Sequence, residues 1–218
     1  MRPVCLLLRN QVNKMTNTIV RRSGAVEGGV LPVLRSRRSI RRYTDRAVSE
    51  EHQELLVEAL LRSPTSRNGK SWEFVLVDDR ALLERLALAK SQGGGFLRDA
   101  ALAIVLAGDS SKSDVWIEDA AIAGIVVQVA AHSLGLGTCW VQIRNRAHDE
   151  NTSAEAYVQR LLELPEHMKV AAVISIGHPA ESKPTIPAGD LDFGKVRHNR
   201  YSEIRQGRRH APQASGRS

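Results

Sequence analysis

The chain has 218 residues, 42% of them hydrophobic, which is enough apolar material for one well-filled core. Its net charge of +7 is unevenly distributed: residues 1–48 hold eleven basic and two acidic side chains, residues 49–194 thirteen and twenty-one, and residues 195–218 seven and one. Two basic flanks around an acidic body do not make the continuous positive face of a nucleic-acid-binding domain. Two cysteines, Cys5 and Cys139, exclude a disulfide framework and fit a reducing cytosol, so we expect a soluble, cytoplasmic protein.

No segment is suited to export or to membrane insertion. The apolar run at residues 4–8 is too short for a signal peptide, and residues 120–131 fall short of the roughly 20 apolar residues that cross a bilayer. Residues 1–34 lack strong periodicity and are expected to form an N-terminal extension. The sequence therefore predicts a single domain at residues 35–201, followed by a basic tail at residues 202–218.

From residue 49 onwards, predicted helices and strands alternate. Ser49 has the composition of a helix N-cap, and apolar residues at helical spacing follow it until Pro64 ends the helix. The later elements are a strand at residues 74–77, a helix at 79–90, a strand at 101–108, a helix at 116–134 closed by Gly135, a strand at 138–143, a helix at 153–164 and a strand at 170–177. This order predicts mixed α/β layers, and the continuous apolar strands predict that helices cover both faces of the sheet.

The predicted helix at residues 116–134 is unusual because it is apolar on every side. Six of its positions between residues 120 and 131 are Ala or Gly, which allow close approach of a neighbouring element. A helix of this kind must be buried all round. A second copy of the chain and a central position within one core are both compatible with this pattern.

The common catalytic motifs are missing from the sequence. There is no phosphate-binding loop, nucleophile elbow or zinc-protease motif, and the seven scattered histidines do not suggest a metal site. Residues 135–137 (GLG) follow a helix and precede a strand, which is typical of a helix cap and tight turn. Residues 35–45 combine arginines with the hydroxyl of Ser39, a composition suited to binding phosphate. A solvated basic segment is the alternative interpretation.

Four segments in a fixed order carry a family resemblance. They are RRSIRRY at residues 37–43, SPTSRNGKSWEFVLV at 63–77, LGLGTCWVQI at 134–143 and HNRY at 198–201. Together they resemble the nitroreductase family of flavoproteins over roughly residues 35–201. The resemblance implies an α/β (α+β) fold with a central mixed β-sheet flanked by helices, and it implies that the long apolar helix lies at a dimer interface.

The resemblance also implies an FMN site. The candidate cofactor-binding residues, carried over by position, are Arg37, Arg38, Ser39, Arg41, Asn68, Lys70, Trp140, Val141, Gln142, Ile143 and Arg200. The first motif and Arg200 correspond to the phosphate and ribityl contacts, and residues 140–143 approach flavin N5 and O4 through their main chain. Lys70 replaces the glutamine usual in the family, and a lysine there would stabilise negative charge on the reduced ring. His198 is interpreted as structural or solvated.

The implied activity is transfer of electrons from NADH or NADPH, through flavin N5, to a small electron-poor acceptor such as a nitroaromatic or a quinone, by a ping-pong mechanism. The flavin performs the redox chemistry, so no side chain is assigned as an acid or base. The alternatives are a specialised flavoenzyme of the same fold (dehalogenation, flavin breakdown or ring oxidation) and a non-enzymatic basic protein that contacts RNA or an acidic partner. The expected partners are the nicotinamide, the acceptor and a second copy, with neither nucleic acid nor membrane.

Overall fold

The computed structural model of the protein describes residues 29–204. Residues 1–28 and 205–218, which hold Cys5 and most of the two predicted tails, lie outside the described residues. The chain divides into two units, Met1–Lys183 and Pro184–Ser218. Within the described part of the chain, no helix is both long enough and apolar enough to cross a membrane.

The first unit contains five helices and four strands among its described residues. The helices are α1 (Val30–Ser36), α2 (Glu50–Leu61), α3 (Arg80–Leu86), α4 (Trp116–Ser133) and α5 (Ala154–Leu161). The strands are β1 (Trp72–Val77), β2 (Leu102–Asp109), β3 (Gly137–Gln142) and β4 (Met168–Gly177). Short 3₁₀ turns lie at Ser66–Asn68 and Gly95–Asp99.

The strands form one sheet in the order β1-β2-β4-β3, and their ladders are antiparallel. A parallel bridge between Ser39 and Thr138 adds to the outer edge of β3 and makes the sheet mixed. One face carries a core with α2 and α4, and the other carries a core with α3 and α5. The predicted fold class and the predicted cover on both faces are therefore confirmed.

Three helix boundaries differ from the sequence prediction. The helix α1 begins inside the predicted extension, with Pro32 in its first turn, where a missing amide hydrogen is tolerated. The helix α3 ends at Leu86, and the amides of Leu88 and Ala89 bond three residues back in tighter turns. The helix α5 ends at Leu161, shortly before Glu163 adopts a left-handed φ of 56°.

The helix α4 matches its predicted span but is not buried on every side by its own chain. Gly135, with φ of 78°, closes it, and the Leu136 amide donates to the Ala131 carbonyl at 2.9 Å, as predicted for a glycine cap. Ile122 and Ile125 remain 38% and 42% exposed. An apolar strip of α4 is thus open in the single chain.

The second unit contains a short hairpin. Strands β5 (Arg197–His198) and β6 (Arg200–Ile204) pair around Asn199, whose φ is 60°. The Arg197 guanidinium lies 5.1 Å from the centroid of the Tyr201 ring. The predicted residues His198 and Arg200 belong to this hairpin, and a role for Arg200 at a phosphate stays a prediction.

Candidate functional site

Residues 37–44, the arginine segment, form an added piece of extended chain that lies along the start of β3 and the residues just after β4. The Ile40 amide donates to the Thr138 carbonyl at 2.9 Å, at the start of β3. Further along the segment, the Thr44 amide donates to the carbonyl of His178, just after β4, at 2.9 Å. The main chain of the segment is therefore fixed at the edge of the sheet.

Gly137 allows this close approach. A Cβ at residue 137 would lie 2.8 Å from the Cβ of Ile40, which is buried and cannot move without shifting the arginine segment. We expect Gly137→Ala to destabilise the fold by about 1–3 kcal/mol through overpacking. Urea unfolding measures this loss, with Gly189→Ala as the control because a Cβ there has nothing within 4 Å. Equal stability of the two variants would contradict the packing argument.

Glu181 and Lys183 brace the arginine segment. Lys183 Nζ donates to the Ser39 carbonyl at 2.8 Å, and Glu181 Oε1 accepts from the Arg41 amide at 2.6 Å. The two side chains form an ion pair at 3.2 Å. The backbone hydrogen bond from Arg41, helped by Lys183, holds the pKa of Glu181 below its usual value. The Arg41 amide is therefore engaged within the chain, and a ligand would contact the Arg41 side chain.

Arg41, Lys183 and Lys90 lie near Cys139, beside the arginine segment, and one of them, Lys183, is paired with Glu181. Burial raises the pKa of the Cys139 thiol, and the charges of Arg41, Lys183 and Lys90 oppose that rise. Burial, and next the charge of Arg146, lower the pKa of Lys90. Several cations near one point favour an anionic ligand, and a phosphate dianion suits their donors. Lys90 and Lys183 carry no signal in the sequence for this role, because they reach this place only through the fold.

Arg37 and Arg38 lie where α1 meets the end of α4. Burial, and next the charge of Arg37, lower the pKa of His132. His132 Nε2 lies 2.8 Å from Ser36 Oγ, which ties α1 to α4. Arg37 and Arg38 are both partly buried. The start of the arginine segment is therefore placed at the C-terminal end of α4.

The four predicted main-chain contacts on β3 fall into two pairs. The Thr138 carbonyl faces away from β4, since it accepts from the Ile40 amide. Main-chain groups alternate in direction along a strand, so those of Trp140 and Gln142 point to the same open edge. The main-chain groups of Val141 point towards β4 because of this alternation, and the Ile143 amide donates to the Ala171 carbonyl at 3.3 Å. Only the first pair can present amides to a ligand at this edge.

The side chains of these four β3 residues make contacts within the protein. Trp140 Nε1 donates to Gln142 Oε1 at 2.9 Å, and a Cβ at Gly124 of α4 would lie 2.6 Å from the Trp140 ring. Val141 and Ile143 are buried in the core on the opposite face. Main-chain binding is therefore more consistent with the geometry than side-chain binding.

Residues 66–71, the Asn68 loop, have a strained backbone. Arg67, Asn68 and Lys70 have φ values of 50°, 55° and 48°, a left-handed region that residues other than glycine rarely adopt. The side chains of Asn68 and Lys70 are exposed. Strained conformations of this kind cluster at functional sites, which favours a ligand-binding role for the loop.

The arginine segment and the Asn68 loop lie at diagonally opposite corners of the first unit. The loop leads into β1 and the segment pairs with β3, and these outer strands are about 14 Å apart across the sheet. Measured along β2, Trp72 is level with Gly108, whereas Thr138 is level with Leu102 at the other end of that strand. The distance between these two positions adds about 20 Å along the strand direction. One chain therefore does not bring these two groups of predicted residues together around one cofactor.

Comparisons with known proteins agree with this architecture. The model of the nitroreductase family matches residues 34–94 and 92–178. A Methanothermobacter thermautotrophicus protein named for NADH dehydrogenase and NAD(P)H nitroreductase activity is 34% identical over 166 residues, covering 75% of this chain and 84% of the relative.

Two solved structures are also similar. An FMN-dependent nitroreductase from Clostridium difficile superposes with a TM-score of 0.77 at 44% identity, covering 78% of this chain and 98% of that one. A Desulfovibrio desulfuricans protein solved in complex with FMN has a TM-score of 0.60 at 30% identity, covering 76% and 95%.

Proposed function

This chain belongs to the nitroreductase family, and on that basis we propose that it is an FMN-dependent oxidoreductase that carries electrons from NADH or NADPH to a small electron-poor organic molecule. Nitroaromatics and quinones are the acceptor class, and the oxidised nicotinamide leaves before the acceptor enters the same place. The single observation that carries this proposal is the arginine segment, fixed against β3 beside gathered positive charge. In this proposal the protein works in the cytoplasm.

The residues of this chain have two tasks in the proposed site. Arg37, Arg38, Ser39 and Arg41 bind the phosphate, with Lys90 and Lys183 adding charge. The open edge of β3 at Trp140 and Gln142 offers main-chain donors to the flavin ring. FMN held by these residues would supply the redox chemistry, which is hydride acceptance at N5 and electron release to the acceptor. The protein binds, orients and shields, and no side chain is required to move a proton.

We propose that two copies complete each site. The Asn68 loop and the arginine segment of one chain are too far apart for the five-carbon ribityl chain that joins the phosphate to the flavin ring. A two-fold dimer packed on the open strip of α4 can bring the loop of one subunit to β3 of the other. The exposed apolar side chains of Val30, Leu31 and Leu34 extend this strip along α1, which packs against α4. These features support an obligate interface.

The dimer is expected to depend on Ile125. Sedimentation of the unsubstituted protein should give the mass of two chains, and Ile125→Asp should give one chain, since an unpaired carboxylate at the interface must be desolvated. Leu88→Asp is the matched control, because Leu88 is an exposed leucine next to α3 on the opposite face of the sheet. A folded, flavin-loaded monomer of the unsubstituted protein at micromolar concentration would contradict the dimer.

The proposed activity has a direct test. The purified protein should be yellow and release FMN on denaturation. Under anaerobic conditions NADH or NADPH should bleach the flavin absorbance, and a nitroaromatic or quinone added afterwards should restore it without further nicotinamide. A colourless protein that does not bind added FMN would reject the proposal. Bleaching by one nicotinamide alone identifies the donor that the protein accepts.

A further inference from the structure

The Asn68 loop needs an explanation for its backbone. Three of its residues, Arg67, Asn68 and Lys70, are held in the left-handed region without being glycine. Such a conformation persists only where the surroundings determine it. The Lys70 amide donates to Thr65 Oγ1 at 3.1 Å, which closes the loop locally but does not fix it to the rest of the protein.

Asp119, in the first turn of α4, provides that attachment. Its side chain is buried, with 3% of the residue exposed. Its Oδ1 accepts from the Ser66 amide at 2.9 Å, and its Oδ2 accepts from the Ser71 hydroxyl at 3.3 Å. The carboxylate thus binds the first and last residues of the loop and leaves the four residues between them to project outward. The Ser71 carbonyl also accepts from the Asp109 amide at 2.7 Å, which fixes the exit of the loop to β2.

Asp119 also links the loop to the open strip of α4. Ile122 lies three residues after Asp119 on the same helix, and Ile125 lies three residues after that, close to one turn apart. A carboxylate on this helix therefore sets the position of the loop relative to the surface that we assign to the second copy.

We propose that Asp119 is a positioning residue: it holds residues 67–70 in their left-handed conformation so that Asn68 and Lys70 face the flavin bound at β3 of the second subunit. This inference rests on the proposed function and adds to it the residue on which the geometry of the loop depends. Asp119 itself touches neither the flavin nor the substrate.

The first part of the test uses the protein without flavin. Amide hydrogen exchange at Ser66 and Lys70 should accelerate about tenfold or more in Asp119→Ala, because the loop loses its attachment. Asp79→Ala is the matched control, since Asp79 makes a similar bond to the Leu82 amide at 2.8 Å at the start of α3. Unchanged exchange in Asp119→Ala would overturn the anchoring role.

The second part measures FMN affinity and the reduction potential of the bound flavin. Asp119→Asn should weaken FMN binding about threefold to tenfold, because the displaced Asn68 loop should lose one neutral hydrogen bond to the flavin ring. The shift in the reduction potential of the bound flavin that Asp119→Asn causes should have the same sign as the shift that Asn68→Ala causes. In the double variant the two effects should not add, because both act through one contact. Adding Arg67→Gly to Asp119→Ala should recover part of the affinity, since glycine adopts the left-handed region without strain.

The outcomes separate the two levels of the proposal. If the unsubstituted protein does not bind FMN, the proposed function fails and this inference fails with it. If it binds FMN normally, fully additive effects of Asp119→Asn and Asn68→Ala overturn the positioning role alone. The same holds if Asp119→Ala accelerates exchange but changes neither affinity nor potential.

Discussion

A mixture of two variants, each with little activity at subsaturating FMN, is expected to regain activity. Arg37→Ala removes a phosphate donor from one half of the site, and the double substitution Asn68→Ala/Lys70→Ala removes the loop contacts from the other half. Each homodimer carries its defect in both sites. A heterodimer of the two has one site with both defects and one site with neither. Random mixing makes half of the dimers heterodimers, so about a quarter of all sites should be intact in a two-fold dimer.

The measurement is NAD(P)H-dependent turnover after the two variants are unfolded together and refolded at subsaturating FMN. The matched control mixes Arg37→Ala with Arg41→Ala, which affect the same half with a similar expected loss, so every mixed site keeps a defect and activity should stay low. Recovery in the first mixture alone supports a site shared between subunits. Absence of recovery in both, with dimers present, would mean that each chain builds its own site.

The diagonal placement behind this prediction is not visible in the sequence. The motifs at residues 37–43 and 63–77 are interpreted as parts of one site. The residue pattern correctly places the helix that follows the first motif and the strand at the end of the second. Periodicity does not give strand order, and only the order β1-β2-β4-β3 shows that the two motifs lie at opposite edges. The sequence does suggest a second copy, through the apolar helix that the structure leaves partly open at Ile122 and Ile125.

Local signals were predicted well and long-range contacts were missed. Ser49 accepts from the His52 amide as an N-cap, and Gly135 closes α4, because each depends on a few neighbouring residues. Asp119 and Glu181 resemble ordinary surface acids in the sequence. Their roles depend on partners 53 and 140 residues away, Ser66 and Arg41. Contacts of that kind follow from the fold and not from spacing along the chain.

The phosphate contacts give the second large expected effect. Arg37→Ala or Arg41→Ala should weaken FMN binding by a factor of roughly 30 to 150, because removing one charged donor from a desolvated site costs on the order of 2–3 kcal/mol. Ser39→Ala should show a milder loss, since it removes a neutral hydroxyl. These variants should purify with little flavin and recover turnover when FMN is added in excess, because the phosphate end does no chemistry.

Riboflavin separates loss of a phosphate contact from general damage to the site. It lacks the phosphate, so it should bind the unsubstituted protein weakly, and Arg37→Ala should barely change that weak binding. Arg62→Ala is the control for removing an arginine, because Arg62 is exposed at the C-terminal end of α2 and pairs with Glu58 at 2.7 Å. Titration of apoprotein with FMN and riboflavin gives all the affinities. If Arg37→Ala and Arg41→Ala both keep the FMN affinity of Arg62→Ala, the arginine segment is a solvated surface and the phosphate lies elsewhere.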